Sequence, residues 1–296
     1  MDAIEKRAVI VLADISGYTR FMVENQMSAV HGQQCITFLI ETLIREIDIP
    51  LRLQEIEGDA LFLYAEDPGN DDGWEQVLQQ VAEKLPRFFK AFYEGIVLGM
   101  EATPCKCAIC RNSKELALKI VVHSGTAVFH EIGGFKKVSG PDVILAHRLL
   151  KNSVPAKEYL LMSDAGHSTV GCQMAGEFIQ GMETYDGFGA VTTFVRYNDD
   201  MKEEHLDALY KLSPAKLTAR AELYSVAAMI GAFPALIRQL RAPAIASSRM
   251  SWSWFALLFV LRAPLMALTY MISAPRRLLS QRNRHKEKLL NKKTPT

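Results

Sequence analysis

Cysteine is scarce in this chain and poorly placed for disulfides. Its 296 residues carry five, an odd number, with three of them (Cys105, Cys107 and Cys110) inside six positions. That excludes the framework of a small secreted domain and points to a reducing compartment. The opening MDAIEKRAVIV has acidic residues where a secretory leader would be basic, so no leader is expected. A phosphate-cradling glycine-rich loop and a Ser-His-Asp order are both lacking, and Gly133-Gly134 is better read as a hairpin turn. There is no internal repeat or low-complexity tract, and no nucleic-acid partner is expected.

What the chain does have is an ordinary globular composition, 49% hydrophobic and 23% charged, with its charge unevenly spread. Fifteen Lys and Arg against Glu222 and Glu287 give residues 211–296 a charge of +13, which leaves −12 for residues 1–210 under the net +1. An acidic body and a basic tail imply two different partners. The expected division is an α+β domain over 1–200 and a helical, basic region over 201–296, cut by Pro214, Pro234, Pro243, Pro264 and Pro275. Residues 252–273, WSWFALLFVLRAPLMALTYMIS, have the length of a bilayer crossing but hold Arg262 at their centre. Trp252, Trp254 and Tyr270 flank them as interfacial anchors would, and a basic run follows from Arg276 to Lys293. The expectation is membrane association on the cytoplasmic side through 252–293, as a span or as interfacial helices. The alternative is a helical hairpin packed on protein.

In the body, VIVLADISGYTRFM (9–22) begins as an apolar run of the kind buried on both faces of a sheet, and the run stops at Asp14. A carboxylate at the exit of a buried strand needs hydrogen bonds, a counter-charge or a metal ion. LRLQEIEGDALFLYAE (51–66) reads as two strands meeting at Gly58-Asp59, a hairpin signature. If these strands are neighbours, Asp14 and Asp59 converge into a hard-cation site suited to Mg2+ or Mn2+. Apolar spacing predicts helices over 27–48, 74–99 and 139–153. Strands are expected over 7–14, 159–163 and 190–197, with a strand pair over 117–132 turning near Ser124-Gly125. The order predicts an α+β sandwich, helices packed on a mixed sheet.

Four stretches in one order carry a family likeness. ADISGYTRF, EIEGDALFLY, KIVVHSGTAVFHEIGG and VSGPDVILAHRLLKN resemble the successive motifs of class III nucleotidyl cyclases over roughly residues 7–197. The likeness is greatest to an uncharacterised bacterial cyclase-like subgroup. It implies a ferredoxin-like cyclase domain that acts as a homodimer. By that resemblance Asp14 and Asp59 match the metal-binding aspartates, with Ile15, Ser16, Gly17 and Tyr18 beside the triphosphate. Arg148 matches the arginine that stabilises the transition state, supplied by the second chain. The implied chemistry is attack of a ribose 3′-OH on the α-phosphate of a nucleoside triphosphate, with pyrophosphate leaving. Three positions depart from the pattern. Ile144 stands where the family has a ribose-orienting asparagine. The base-reading pair falls on Glu55, as in guanylyl cyclases, and on Lys137, which suits neither purine pattern. The alternative is therefore a catalytically degenerate nucleotide-binding sensor at the membrane surface.

Two further features stand outside that resemblance. TPCKCAICRN (103–112) offers three soft ligands, Cys105, Cys107 and Cys110, a candidate Zn2+ site. His123, Cys35 or a second chain would complete it; the alternatives are a redox role, which Lys106 and Arg111 would favour, and plain loop cysteines. His123, His130, His147 and His167 are read as hydrogen-bonded structural side chains, with His147 beside Arg148 also placed to contact phosphate.

Overall fold

In the computed structural model, residues 3–25, 29–97, 108–210, 280 and 282–284 are described. The strands are β1 (Ile4–Ser16), β2 (Arg52–Glu57), β3 (Ala60–Glu66), β4 (Ala117–Ile132), β5 (Phe135–Ser139), β6 (Tyr159–Ser163), β7 (Ile179–Tyr185) and β8 (Gly189–Tyr197). The helices are α1 (Tyr18–Glu24), α2 (Ala29–Ile44), α3 (Asp71–Glu94), α4 (Ala108–Asn112), α5 (Pro141–Leu149), α6 (Asp164–Thr169) and α7 (Asp199–Tyr210). The sheet runs β2-β3-β1-β4-β6-β8-β7, with β5 paired to the far end of β4. Among the described strands only β4 and β6 pair in parallel, so this is a mixed α+β sheet, as the order of elements implied.

The apolar run of β1 explains its central place. Val9, Ile10, Val11, Leu12 and Ala13 are all 0% exposed, so both faces of the strand are covered. Ala8, Ile10 and Leu12 share one hydrophobic cluster with Val121 of β4 and with Val143, Ala146 and Leu149 of α5. These β1 residues lie on one face at a period of two, and Asp14 continues that series towards the α5 side. Helix α3 carries the amphipathic pattern its spacing predicts, burying Val81, Leu85, Phe88, Phe89 and Phe92.

Contacts divide the chain into two compact units. The first is built from Met1–Gln26, Leu39–Phe92 and Glu115–Lys202, and the second from Met27–Phe38, Tyr93–Lys114 and Glu203–Thr296. The sheet and α5 belong to the first.

Two expectations are corrected, and one strand is unexpected. Residues 117–132 form one continuous strand instead of a pair turning at Ser124-Gly125; the turn comes at Gly133-Gly134, both at positive φ. Strand β1 continues to Ser16, two residues past Asp14, because β4 extends far enough to pair with it. Strand β7 had no sequence signal, since six of its seven residues are not buried and no alternation marks an inward face. The apolar stretch 252–273 and the basic run beyond it lie outside the described residues, apart from the few positions between 280 and 284. Among the described residues, no helix is long and apolar enough to cross a membrane.

Candidate functional site

The two aspartates meet at one end of the sheet. Asp14 stands opposite Ala60 of β3, the residue after Asp59, and the amide of Ile15 donates to the Asp59 carbonyl at 3.4 Å. Gly58 makes this possible by turning the β2–β3 hairpin at φ 67°. Burial, then the negative charge of Asp14, push the Asp59 carboxyl up to about 6; Lys119 opposes the shift. Lys119 of β4 faces Asp14 in register and its Nζ lies 2.8 Å from Asp14 Oδ2. One lysine thus partly neutralises a pair of half-buried carboxylates, and the remaining repulsion is what a divalent cation relieves. The donor set, oxygen only and anionic, fits Mg2+ or Mn2+. The sequence reading missed Lys119, and a strand-borne lysine next to a buried run was the available signal.

The turn after Asp14 is fixed by Gly17, at φ 89°, where a side chain would be strained. The Gly17 carbonyl accepts from Phe21 at 2.9 Å to start α1, and no side chain caps that helix. Ile15 is buried and its amide already committed to Asp59, whereas Gly17 is exposed and Ser16 and Tyr18 partly so. Glu55 and Lys137 do come together, though with each other: Lys137 Nζ donates to Glu55 Oε2 at 2.7 Å. Both side chains are nearly half exposed, and such a pair contributes at most about 1 kcal/mol, so a ligand can open it.

Arg148 sits on the last turn of α5 and is exposed, with no ion pair among the described residues. It lines a groove of about 460 Å³ together with Glu57, Val143, Ile144, His147, Leu150 and Lys151. Ile144 is 52% exposed there, so the position expected to hold an orienting amide presents a hydrocarbon surface instead. His147 stacks edge-on against Phe62 and reaches Glu57 at 3.5 Å. The groove and the carboxylates are linked by Lys119, which lies 3.4 Å from the Leu150 carbonyl while bound to Asp14.

His123 turns out to be structural, and its partners explain two motifs. It is 4% exposed, with Nδ1 2.6 Å from Ser163 Oγ and Nε2 3.2 Å from Asp142 Oδ1. A carboxylate only accepts, so Nε2 carries the proton, Nδ1 accepts from Ser163, and Ser163 Oγ accepts from the Gly166 amide at 3.0 Å. Burial lowers the His123 pKa against the pull of Asp142, which keeps the ring neutral. The other Asp142 oxygen accepts from the Thr126 amide at 2.7 Å. A Cβ on Gly125 would lie 2.2 Å from that oxygen, which is why glycine stands in mid-strand. Asp142, which the sequence reading did not single out, thereby staples the start of α5 to β4.

With both ring nitrogens engaged, His123 does not complete a cysteine site. Cys110 lies instead beside His31 and Cys35; Cys105 and Cys107 lie outside the described residues.

Residues 36–159 match the family described as "Protein of unknown function (DUF2652)". The chain is 32% identical over 148 residues to Uncharacterized protein Rv2561/Rv2562 of Mycobacterium tuberculosis, a match covering 48% of this chain and 64% of that one, short of two thirds of the relative's length. Among solved structures, it is similar to the adenylyl cyclase CyaB from P. aeruginosa at a TM-score of 0.48 and 14% identity, over 66% of this chain and 96% of that one. The guanylyl cyclase Cya2 gives 0.47 and 15%, over 66% and 93%. The guanylyl cyclase domain of the RhoGC fusion protein from the aquatic fungus Blastocladiella emersonii gives 0.45 and 16%, over 67% and 99%.

Proposed function

We propose that the protein binds a nucleoside triphosphate with divalent cations at Asp14 and Asp59, and that two copies of the chain convert it to a 3′,5′-cyclic nucleotide and pyrophosphate. The observation that carries this reading is the meeting of two carboxylates, one near the end of β1 and one at a hairpin tip, the second raised to about 6 by burial and by the first. The four collinear cyclase-like motifs support the same assignment. Asp14 and Asp59 would hold Mg2+ or Mn2+, which when bound offsets triphosphate charge and the charge of the leaving pyrophosphate. The protein's own groups position the rest. The Gly17 turn brings main chain close to the phosphates, and Lys119 sits beside Asp14 as a further cation. Arg148, exposed and free of ion pairs among the described residues, is offered to the site of the second copy, where it stabilises charge in the transferring phosphoryl group. In the reaction the 3′-oxygen bonds to the α-phosphorus, the bond from that phosphorus to the oxygen shared with the β-phosphate breaks so that pyrophosphate leaves, and the hydroxyl proton passes to solvent water.

Incubation of the full chain with Mn2+ and each of the four common nucleoside triphosphates, followed by mass spectrometry, tests this. A cyclic product from at least one base, absent with Asp14→Ala, is expected. Failure of every base to cyclise contradicts turnover. A second reading, nucleotide binding without turnover, is favoured by Ile144: loss of an orienting contact costs orders of magnitude in rate while leaving phosphate binding intact. It is distinguished by a nucleotide-induced rise in melting temperature, lost in Asp59→Ala, without product.

The basic tail is assigned to the membrane surface. Its charge of +13 beside the apolar 252–273 suits anionic lipid.

A further inference from the structure

The second compact unit holds a cluster that the nucleotide chemistry does not use. His31 and Cys35 are four residues apart on α2, so their side chains lie one above the other on the same helical face. Cys110 comes from α4, and all three belong to the unit built from Met27–Phe38, Tyr93–Lys114 and Glu203–Thr296. The ligand atoms of the three lie within 4.8 Å of one another. His31 Nε2 is 3.3 Å from Cys110 Sγ. A tetrahedral zinc with bonds of about 2.0–2.1 Å to nitrogen and about 2.3 Å to sulfur sets N and S roughly 3.5 Å apart. The His31–Cys110 pair is thus near the spacing that zinc requires, and Cys35 lies within 4.8 Å of both. Cys35 and Cys110 are each 8% exposed, which shields thiolates from water and oxidants.

We infer that His31, Cys35 and Cys110 bind Zn2+. Two thiolates and an imidazole are a soft-to-borderline set, unlike the all-oxygen pair at Asp14 and Asp59, so the two sites select different metals. Binding releases the two thiol protons, and the affinity therefore falls in acid. The three ligands leave one tetrahedral position for water or a further donor. The ion ties α2 to a segment 79 residues away, and its binding free energy adds to the stability of that unit. The sequence alone pointed to Cys105, Cys107 and Cys110. The geometry brings Cys110 together with Cys35, one of the candidates for completing that set, and adds a histidine that had no motif to mark it, while Cys105 and Cys107 lie outside the described residues.

Full-length protein purified with a reductant, reconstituted with zinc and freed of loose metal, is assayed by inductively coupled plasma mass spectrometry. One zinc per chain is expected. Cys35→Ser and Cys110→Ser are each expected to weaken retention by more than about tenfold against a competing chelator, since losing a ligand exceeds the loss of an outer partner. Cys172→Ser, at an exposed cysteine, is expected to retain it. Exchange into Co2+ is expected to give tetrahedral visible bands and thiolate charge transfer that weaken in both ligand variants. Should a cysteine variant fail to fold, His31→Asn keeps both thiols and is expected to shift the cobalt bands and weaken retention. No zinc in reconstituted wild type overturns the inference. So does full retention in Cys35→Ser and His31→Asn with loss in Cys105→Ser/Cys107→Ser, which would place the metal on the clustered cysteines.

Discussion

At the scale of single residues, Asp59 reports on the site through its proton. Its carboxyl is pushed up to about 6 in the fold, against about 3.9 in an unfolded chain. The unfolded chain therefore loses its proton first, and this residue's contribution to stability is full below pH about 4 and lost as pH rises through 6. Thermal melts of metal-free Asp59→Asn are expected to lack that decline. Mn2+ binding near pH 6 is expected to release about half a proton per site, the share that Asp59 holds there, read by calorimetry in buffers of different ionisation enthalpy, and Asp59→Asn to release none. His123 has the opposite sign: burial lowers its pKa, so its contribution is full above the ordinary histidine value and is lost as pH falls from there through the lowered folded value. Lys119 competes with metal for Asp14, and Lys119→Met is expected to tighten Mn2+ binding several-fold when no nucleotide is present.

At the scale of elements, the important join is that of α5 to β4 through Asp142. Its carboxylate takes hydrogen bonds from the Thr126 amide and from His123, and hydrogen bonds to a charged group contribute about 1.5–3 kcal/mol. Asp142→Ala is expected to cost roughly 2–3 kcal/mol. At about 2–4 °C per kcal/mol, that lowers the melting temperature by roughly 4–12 °C. Gly125→Ala should do the same from the other side, because its methyl group would occupy the carboxylate's place. Elements with one buried stripe or two buried faces were legible in the sequence: β1 from its unbroken aliphatic run, the β2–β3 hairpin from Gly58-Asp59, α3 from its spacing. What stayed hidden depends on long-range company. Gly125 looked like a turn because a glycine in a strand carries no record of the carboxylate beside it. Strand β7 is an edge with little inward face. Lys119 and His31 became meaningful only when Asp14 and Cys110, distant in sequence, were brought to them.

At the scale of the whole molecule, the acidic body and basic tail make separate claims. Full-length protein is expected to sediment with vesicles containing anionic lipid and to be released as salt rises, since screening shortens the reach of charge to about 10 Å at 0.1 M. Binding that is indifferent to lipid charge would contradict the electrostatic part of that assignment. The dimer claim has its own test: Asp14→Ala and Arg148→Ala, each inactive alone, should regain partial activity on mixing, because a mixed dimer retains one site with both groups intact. The central claim, that Asp14 and Asp59 hold a metal-bound nucleoside triphosphate, is tested most directly by titrating each triphosphate into the full chain in the presence of Mn2+. The account predicts saturable binding that needs the metal and weakens by roughly 30-fold or more in Asp14→Ala and in Asp59→Ala, the loss expected when a close charge partner is removed. Equal affinity in wild type and both variants, or binding that ignores the metal, would contradict it.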